Sequence, residues 1–293
     1  MDVVQNISII FISIFFESLP FLLLGSFISS VIETYISDEK IERIMPKNKV
    51  LGSIVGILLG LFLPACDCAV IPVSKRLIKK KVPINVTVSF MLASPIINPV
   101  VLLSTYNAFY KTNPEIFWYR LAFGIVISLI IGIIMGLIFG KKEVVIDQEE
   151  CSCHHDHGSK NKLLSIINHT SEDLFEVLKY LMLGAFIASL IQVLVPRNIL
   201  MIFNNNHILS IVVLMLFAYL ISLCSTSDSF VGKSLLSSFN ETSVIAYLLL
   251  GPMLDIKNTV VLLGNYQKKF VWTLVSLIFI VIFLFSVLFV RVI

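Results

Sequence analysis

The sequence predicts an all-α integral membrane protein: about eight transmembrane helices arranged as two internally repeated four-helix halves with proline-broken spans. Three observations carry that prediction. Of 293 residues, 57% are hydrophobic and only 14% charged, and the mean hydropathy is +0.94, far outside the range of soluble domains. Several stretches reach the roughly 20 apolar residues that a helix needs to cross ~30 Å of hydrocarbon, and none alternates with the period of two that a membrane barrel requires. Finally, the first and second halves of the chain can be laid over one another.

Hydropathy and loop signals place the spans at about 7–32, 51–73, 84–106, 118–139, 174–195, 208–230, 243–264 and 270–291. The first lacks a basic n-region, and its apolar stretch is too long for a cleaved signal core, so it reads as an uncleaved helix. The polar segment "GKKEVVIDQEECSCHHDHGSKNK" follows the fourth span. It divides the chain into a first repeat (1–140), a soluble linker (141–173) and a second repeat (174–293). A net charge of +3 gives no case for nucleic acid as a partner; the expected surroundings are the lipid bilayer.

"FESLPFLLLGSFISSVI" (16–32) lies over "FEVLKYLMLGAFIASLI" (175–191) without a gap, ten of 17 positions being identical, among them Glu17/Glu176 and Gly25/Gly184. At nearly the same offset "CDCAVIPVSKRL" (66–77) lies over "CSTSDSFVGKSL" (224–235), matching Cys66 to Cys224 and Lys75 to Lys233. "LASPIINPVVLLSTY" (92–106) lies over "LLGPMLDIKNTVVLLGNY" (249–266) with a three-residue insertion. Each half therefore carries a Glu-bearing helix, a Cys-bearing break and a Pro-bearing break, the pattern of a secondary transporter whose site lies where the halves meet. Four spans per half make the repeats parallel; a re-entrant hairpin at one break would make them inverted. The basic cluster at 75–81 favours its side as cytoplasmic, on a bias of only 11 to nine Lys and Arg that includes Arg120 among the outer loops.

Cys66 and Cys68 would face nearly opposite sides of a regular helix. Pro64 and Pro72 bracket them, and an unwound segment between the prolines would turn both thiols, with Asp67, toward one cavity. Cys224 and Asp228 stand at the matching place in the second half. Three thiols suit a soft thiophilic solute such as trivalent arsenic, antimony or Cu(I), although a buried cysteine can equally serve as a small hydrophobe. Glu17 and Glu176, inside apolar helices, suit proton coupling or an interfacial position. Pro95 and Pro99 with Asn98, and Pro252 with Asp255, mark broken spans whose freed backbone could line or gate a path. In the linker, Cys151, Cys153, His154, His155 and His157 could hold a labile Zn, Cu or Ni, in a spacing that matches no closed zinc site. No cofactor is required, and no Gly-rich phosphate loop or Ser-His-Asp set is present, so the chain reads as no enzyme.

"FFESLPFLLLG", "PACDCAVIPVSKRL", "FMLASPIINPVVLL" and "GPMLDIKN", in this order, resemble the predicted permease family that includes the YraQ-type proteins and the ArsP-type organoarsenical efflux permeases. The resemblance implies a multi-pass permease of the bacterial or archaeal inner membrane. From the ArsP branch it implies a transport role for Cys66 and Cys68 toward trivalent organoarsenicals. The expected function is thus secondary efflux of a thiophilic solute, possible rivals being a divalent or soft metal-cation permease fed by the linker and a membrane thiol oxidoreductase using Cys66 and Cys68. Oligomeric state leaves no trace in the sequence.

Overall fold

The computed structural model describes residues 3–35, 46, 48–63, 66–140, 142–146, 162–194 and 206–290. Pro64 and the tract Cys151, Cys153, His154, His155 and His157 lie outside the described residues. Those described are almost entirely helical. Before the linker run α1 (Val3–Tyr35), α2 (Lys49–Phe62), α3 (Asp67–Lys79), α4 (Ile84–Ile97), α5 (Pro99–Phe109) and α6 (Glu115–Phe139); after it run α7 (Lys162–Leu194), α8 (His207–Ile221), α9 (Ser225–Leu235), α10 (Glu241–Met253), α11 (Ile256–Asn265) and α12 (Lys268–Val290). The two series have nearly the same lengths, position by position: 33, 14, 13, 14, 11 and 25 residues against 33, 15, 11, 13, 10 and 23.

Contacts fix the direction of each helix. Asn85 Nδ2 donates to Lys49 O, and Ser94 Oγ to Leu63 O. A Cβ on Gly56 would stand 2.2 Å from Val86 O. Residue number thus rises together along α2 and α4, which run parallel, and glycines at 52, 56 and 60 let their backbones touch. Only the turn at 80–83 separates α3 from α4, and Ser74 reaches back to Met91, so α3 runs antiparallel to α4 and hence to α2. The pair α2–α3 is a re-entrant hairpin that enters and leaves on one face. Its arms of 14 and 13 residues are about 20 Å long, too short to cross.

The second half repeats the arrangement. His207 meets Asn240, and Ser210 meets Ser243, so α8 and α10 are parallel. Asp228 meets Tyr247, and Gly232 abuts Leu248, so α9 returns against α10. Among the described residues, six segments are then long and apolar enough to cross: α1, α4 with α5 (bent by 40°), α6, α7, α10 with α11, and α12. The protein is a multi-pass membrane protein. The spans expected at 51–73 and 208–230 are hairpins instead, because each apolar run stops at a break that carries cysteine.

Three crossings per half is an odd number, so the second half enters from the opposite face. The packing of α1 on α7 agrees: Phe11 meets Phe186, Ser29 bonds Asp173, and Ser30 bonds Thr170, an antiparallel register. On α6 and α12, Phe123 meets Phe285 and Phe139 meets Phe270, again antiparallel. The halves are related by an axis in the membrane plane, the inverted alternative.

The prolines act differently from the expectation that each would break its helix where it stands. Pro72 lies inside α3, so the chain is helical from Asp67 through Pro72, and Cys66 just before it is extended. Pro95 and Pro252 lie within the last turn of α4 and α10, and Pro99 opens α5. Proline is tolerated in a first turn and weakens a last one, so the chain bends at Asn98 and at Leu254–Asp255.

Candidate functional site

Four half-helices begin inside the bundle, and their N-cap residues are Cys66 (α3), Asn98 (α5), Cys224 (α9) and Asp255 (α11). Asn98 Oδ1 accepts from Val100 N at 3.0 Å, and Asp255 Oδ1 from Asn258 N at 2.6 Å. The two cysteines cap less tightly: the Cys66 thiol interacts with Cys68 and the Ala69 backbone, and Cys224 Sγ lies 3.4 Å from Thr226 Oγ1. Helix amino termini carry partial positive charge, and Asp67 and Asp228 lie in the first turns of α3 and α9. Ser222, at the second hairpin tip, adopts the left-handed conformation with φ 51°; its Oγ accepts from Lys257 N at 3.4 Å.

Each Cys-bearing helix packs on the half-helix that follows the bent break of the other half: α3 on α11, and α9 on α5. Between α3 and α11, Asn258 Nδ2 donates to Asp67 Oδ2 at 3.1 Å. Lys257 Nζ lies 3.7 Å from Asp67 Oδ2 and 3.6 Å from Asp255 Oδ2, and Cys68 and Cys224 are within its electrostatic reach. The side chains of Cys66 and Cys68 interact with each other, because one caps α3 and the other sits in its first turn. Lys257 and Asp255, two residues apart, would diverge on a continuous helix; they pair because Asp255 is outside α11. A small cavity with room for a water-sized body adjoins Asp67 and Asn258, lined from both halves by Val70, Ile71, Met91, Pro252 and Leu254 among others.

Between α9 and α5, Arg120 is fully buried. Its Nη1 donates to Thr105 Oγ1 at 2.6 Å and Ser229 Oγ at 2.8 Å, and its Nη2 to Ser225 O at 3.5 Å. Tyr247 OH donates to Asp228 Oδ1 at 2.9 Å. Asp228 Oδ2, Asp255 Oδ2, Asn258 Oδ1, Ser225 Oγ and Arg120 Nε are buried without a hydrogen-bond partner, so unused polar capacity collects where the halves meet. Among the described residues no three His, Cys, Asp or Glu side chains are disposed to hold one metal ion. Cys66, Cys68 and Cys224 therefore share a neighbourhood without forming a closed three-ligand set.

Glu17 and Glu176 have different surroundings. Glu176 Oε1 is 2.5 Å from Lys75 Nζ; Glu17 is exposed on α1, within electrostatic reach of Cys224. Two basic residues differ from the sequence reading. Arg120 is a buried part of α6 rather than a loop residue, and Lys75 is 6% exposed rather than part of a solvated cluster. The signal for Arg120 was its setting in "FWYRLAF": an ionisable side chain within an apolar span faces the bundle interior. Tyr247, Thr105 and Ser229 gave no such signal, since hydroxyls are common in membrane helices.

Residues 3–290 match a family described as a predicted permease. The UPF0718 protein YcgR of Bacillus subtilis (strain 168) is 41% identical over 280 residues, 95% of either chain. A protein of Streptococcus mutans serotype c named "Putative two-component membrane permease complex subunit" is 37% identical over 266 residues, 89% of this chain and 87% of that one. No solved structure matches significantly.

Proposed function

The chain belongs to this ArsP-type predicted permease family, and from that membership we propose that it is a secondary efflux permease for a thiophilic solute, a trivalent organoarsenical or related metalloid. One observation supports the choice of solute: Cys66, Cys68 and Cys224 stand at the tips of two hairpins from opposite halves, with Cys68 and Cys224 both within electrostatic reach of Lys257 inside the bundle. Capture at Cys66 and Cys68 forms two As–S bonds and breaks two As–O bonds of the hydrated arsenical; the thiol protons leave in two waters, and no electron is transferred. Asp67, Asp228, Asn98 and Asp255 line the route, and Pro95, Pro99 and Pro252 shape the bends that gate it; of the other two expected gating prolines, Pro72 lies within α3 and Pro64 outside the described residues. Proton exchange at Glu17 and Glu176 drives the cycle, since protonating Glu176 discharges its pair with Lys75.

The halves, residues 1–140 and 174–293, act as two repeats joined by the linker 141–173. The host membrane is the bacterial or archaeal inner membrane. Among the described residues, Lys49, Lys79, Lys80, Lys81, Lys142, Lys162, Lys268 and Lys269 belong to segments at the linker end of the bundle, against Lys111 and Lys233 at the other. This bias supports a cytoplasmic linker, whose Cys151, Cys153, His154, His155 and His157 would be a dispensable store for Zn, Cu or Ni. The Streptococcus mutans name supports a second membrane subunit as partner. The test is uptake of methylarsenite into everted vesicles under a proton gradient. Uptake abolished by Cys66→Ser/Cys68→Ser supports the reading, and uptake no greater than in empty vesicles, with the protein inserted, refutes it.

A further inference from the structure

The two halves share a sequence pattern, but α1 and α7 grip the two hairpins unequally. Lys75 of α3 is held by Glu176 of α7 and donates to Asn265 Oδ1 at 3.2 Å. The residues that match Lys75 and Glu176 in the repeat are Lys233 on α9 and Glu17 on α1. Both are exposed, and no hydrogen bond or ion pair joins them to any described residue. Because the repeats are inverted, the formed pair lies toward the linker face and the unformed one toward the opposite face.

Burial shows the same asymmetry. Along α3 every residue from Asp67 to Lys75 is buried, whereas α9 buries only Ser225, Asp228, Ser229 and Gly232. Phe230 of α9 is 57% exposed and Phe16, beside Glu17, 64% exposed. The matched glycines differ in partner as well: a Cβ on Gly25 would meet Ala69 of α3 at 2.7 Å, but one on Gly184 would meet Lys257 of α11 at 2.8 Å rather than α9.

We propose that Lys233 and Glu17 form the counterpart of the Lys75–Glu176 pair in a second conformation, each pair closing one face of the bundle while the other is open. This deepens the permease reading and rests on it: it supplies the two-sided gate that alternating access needs. In the second state the segment of α1 around Phe16 and Glu17 covers the face of α9 that carries Phe230 and Lys233, and α3 loses Glu176. The sequence similarity of the two gripping helices makes the two states comparable in energy, as exchange between them requires.

The test is zero-length cross-linking of the full-length protein in membranes with a lipid-soluble carbodiimide. The carbodiimide activates a carboxylate, the neighbouring lysine amine displaces it as the urea, and an amide remains. Each pair spans the halves, so cleavage at a protease site inserted in the linker leaves the halves joined on a denaturing gel only where an amide has formed; mass spectrometry assigns it. Expected are a Lys75–Glu176 amide, lost in Glu176→Gln, and a Lys233–Glu17 amide, lost in Glu17→Gln and raised roughly fivefold or more in Lys75→Gln. A Lys75–Glu176 amide without any Lys233–Glu17 amide, in the natural protein and in Lys75→Gln alike, overturns the proposal. So does a Lys233–Glu17 amide that joins two chains. The readout needs no substrate, so failure of methylarsenite transport leaves it standing.

Discussion

Asn258 of the second half donates to Asp67 of the first, Nδ2 to Oδ2, at 3.1 Å. The bond ties the tip of one hairpin to the half-helix that follows a bend in the other half, and Lys257 stands beside it between Asp67 and Asp255. A single ammonium thus serves two carboxylates at 4% exposure of its own side chain.

Lys257→Met should therefore destabilise the protein by about 3–5 kcal/mol, the usual consequence of leaving buried charges uncompensated. Adding Asp255→Asn to that variant should recover part of the loss. Thermal unfolding in detergent measures both, and a Lys257→Met protein as stable as the natural one would show that water reaches the aspartates.

Arg120 gives a parallel expectation on the other side of the interface. Arg120→Met removes the donors to Thr105 and Ser229 and the cation within electrostatic reach of buried Asp228, which keeps its bond from Tyr247. A fall in stability of about 3–5 kcal/mol is expected, with Arg120→Met/Asp228→Asn milder than the single change. A double-mutant cycle on melting temperature reports the coupling.

Gly25→Val should pry α1 from α3, since even a Cβ would stand 2.7 Å from the Ala69 Cα and 2.8 Å from its carbonyl oxygen. Overpacking of this kind costs roughly 1–3 kcal/mol. Gly184→Val should do the same against Lys257, and either can be read as a lowered midpoint of thermal unfolding.

Cys66→Ser/Cys68→Ser should leave the fold intact, because serine occupies nearly the same volume and caps a helix amino terminus well. Methylarsenite uptake should be lost while the melting temperature moves by only about 1–2 °C, a shift corresponding to well under 1 kcal/mol. Removing residues 151–157 should leave that uptake unchanged.

Much of the site was legible because duplication repeats its parts. Cys66 and Cys224, or Asn98 and Asp255, stand out from apolar surroundings twice at nearly one spacing, and all four prove to be N-caps. What hydropathy could not express was direction. A run such as 49–62 followed by 67–79 reads alike whether the chain continues or doubles back, and the contacts of Lys49 with Asn85, Leu63 with Ser94 and Ser74 with Met91 decide it. Arg120 and Lys75 were misplaced for a related reason: a basic residue near the end of an apolar stretch looks like a loop until tertiary packing supplies Ser229 or Glu176.

The antiparallel register of α1 on α7 also bears on ancestry. Two copies related by an axis lying in the bilayer must sit in it in opposite orientations. A single-half progenitor could have built this interface only if it inserted both ways, pairing an upright copy with an inverted one. Fusing the two through a polar linker would then have frozen one orientation per copy, leaving each free to drift, and the unequal surroundings of Lys75 and Lys233 are what such a freedom permits.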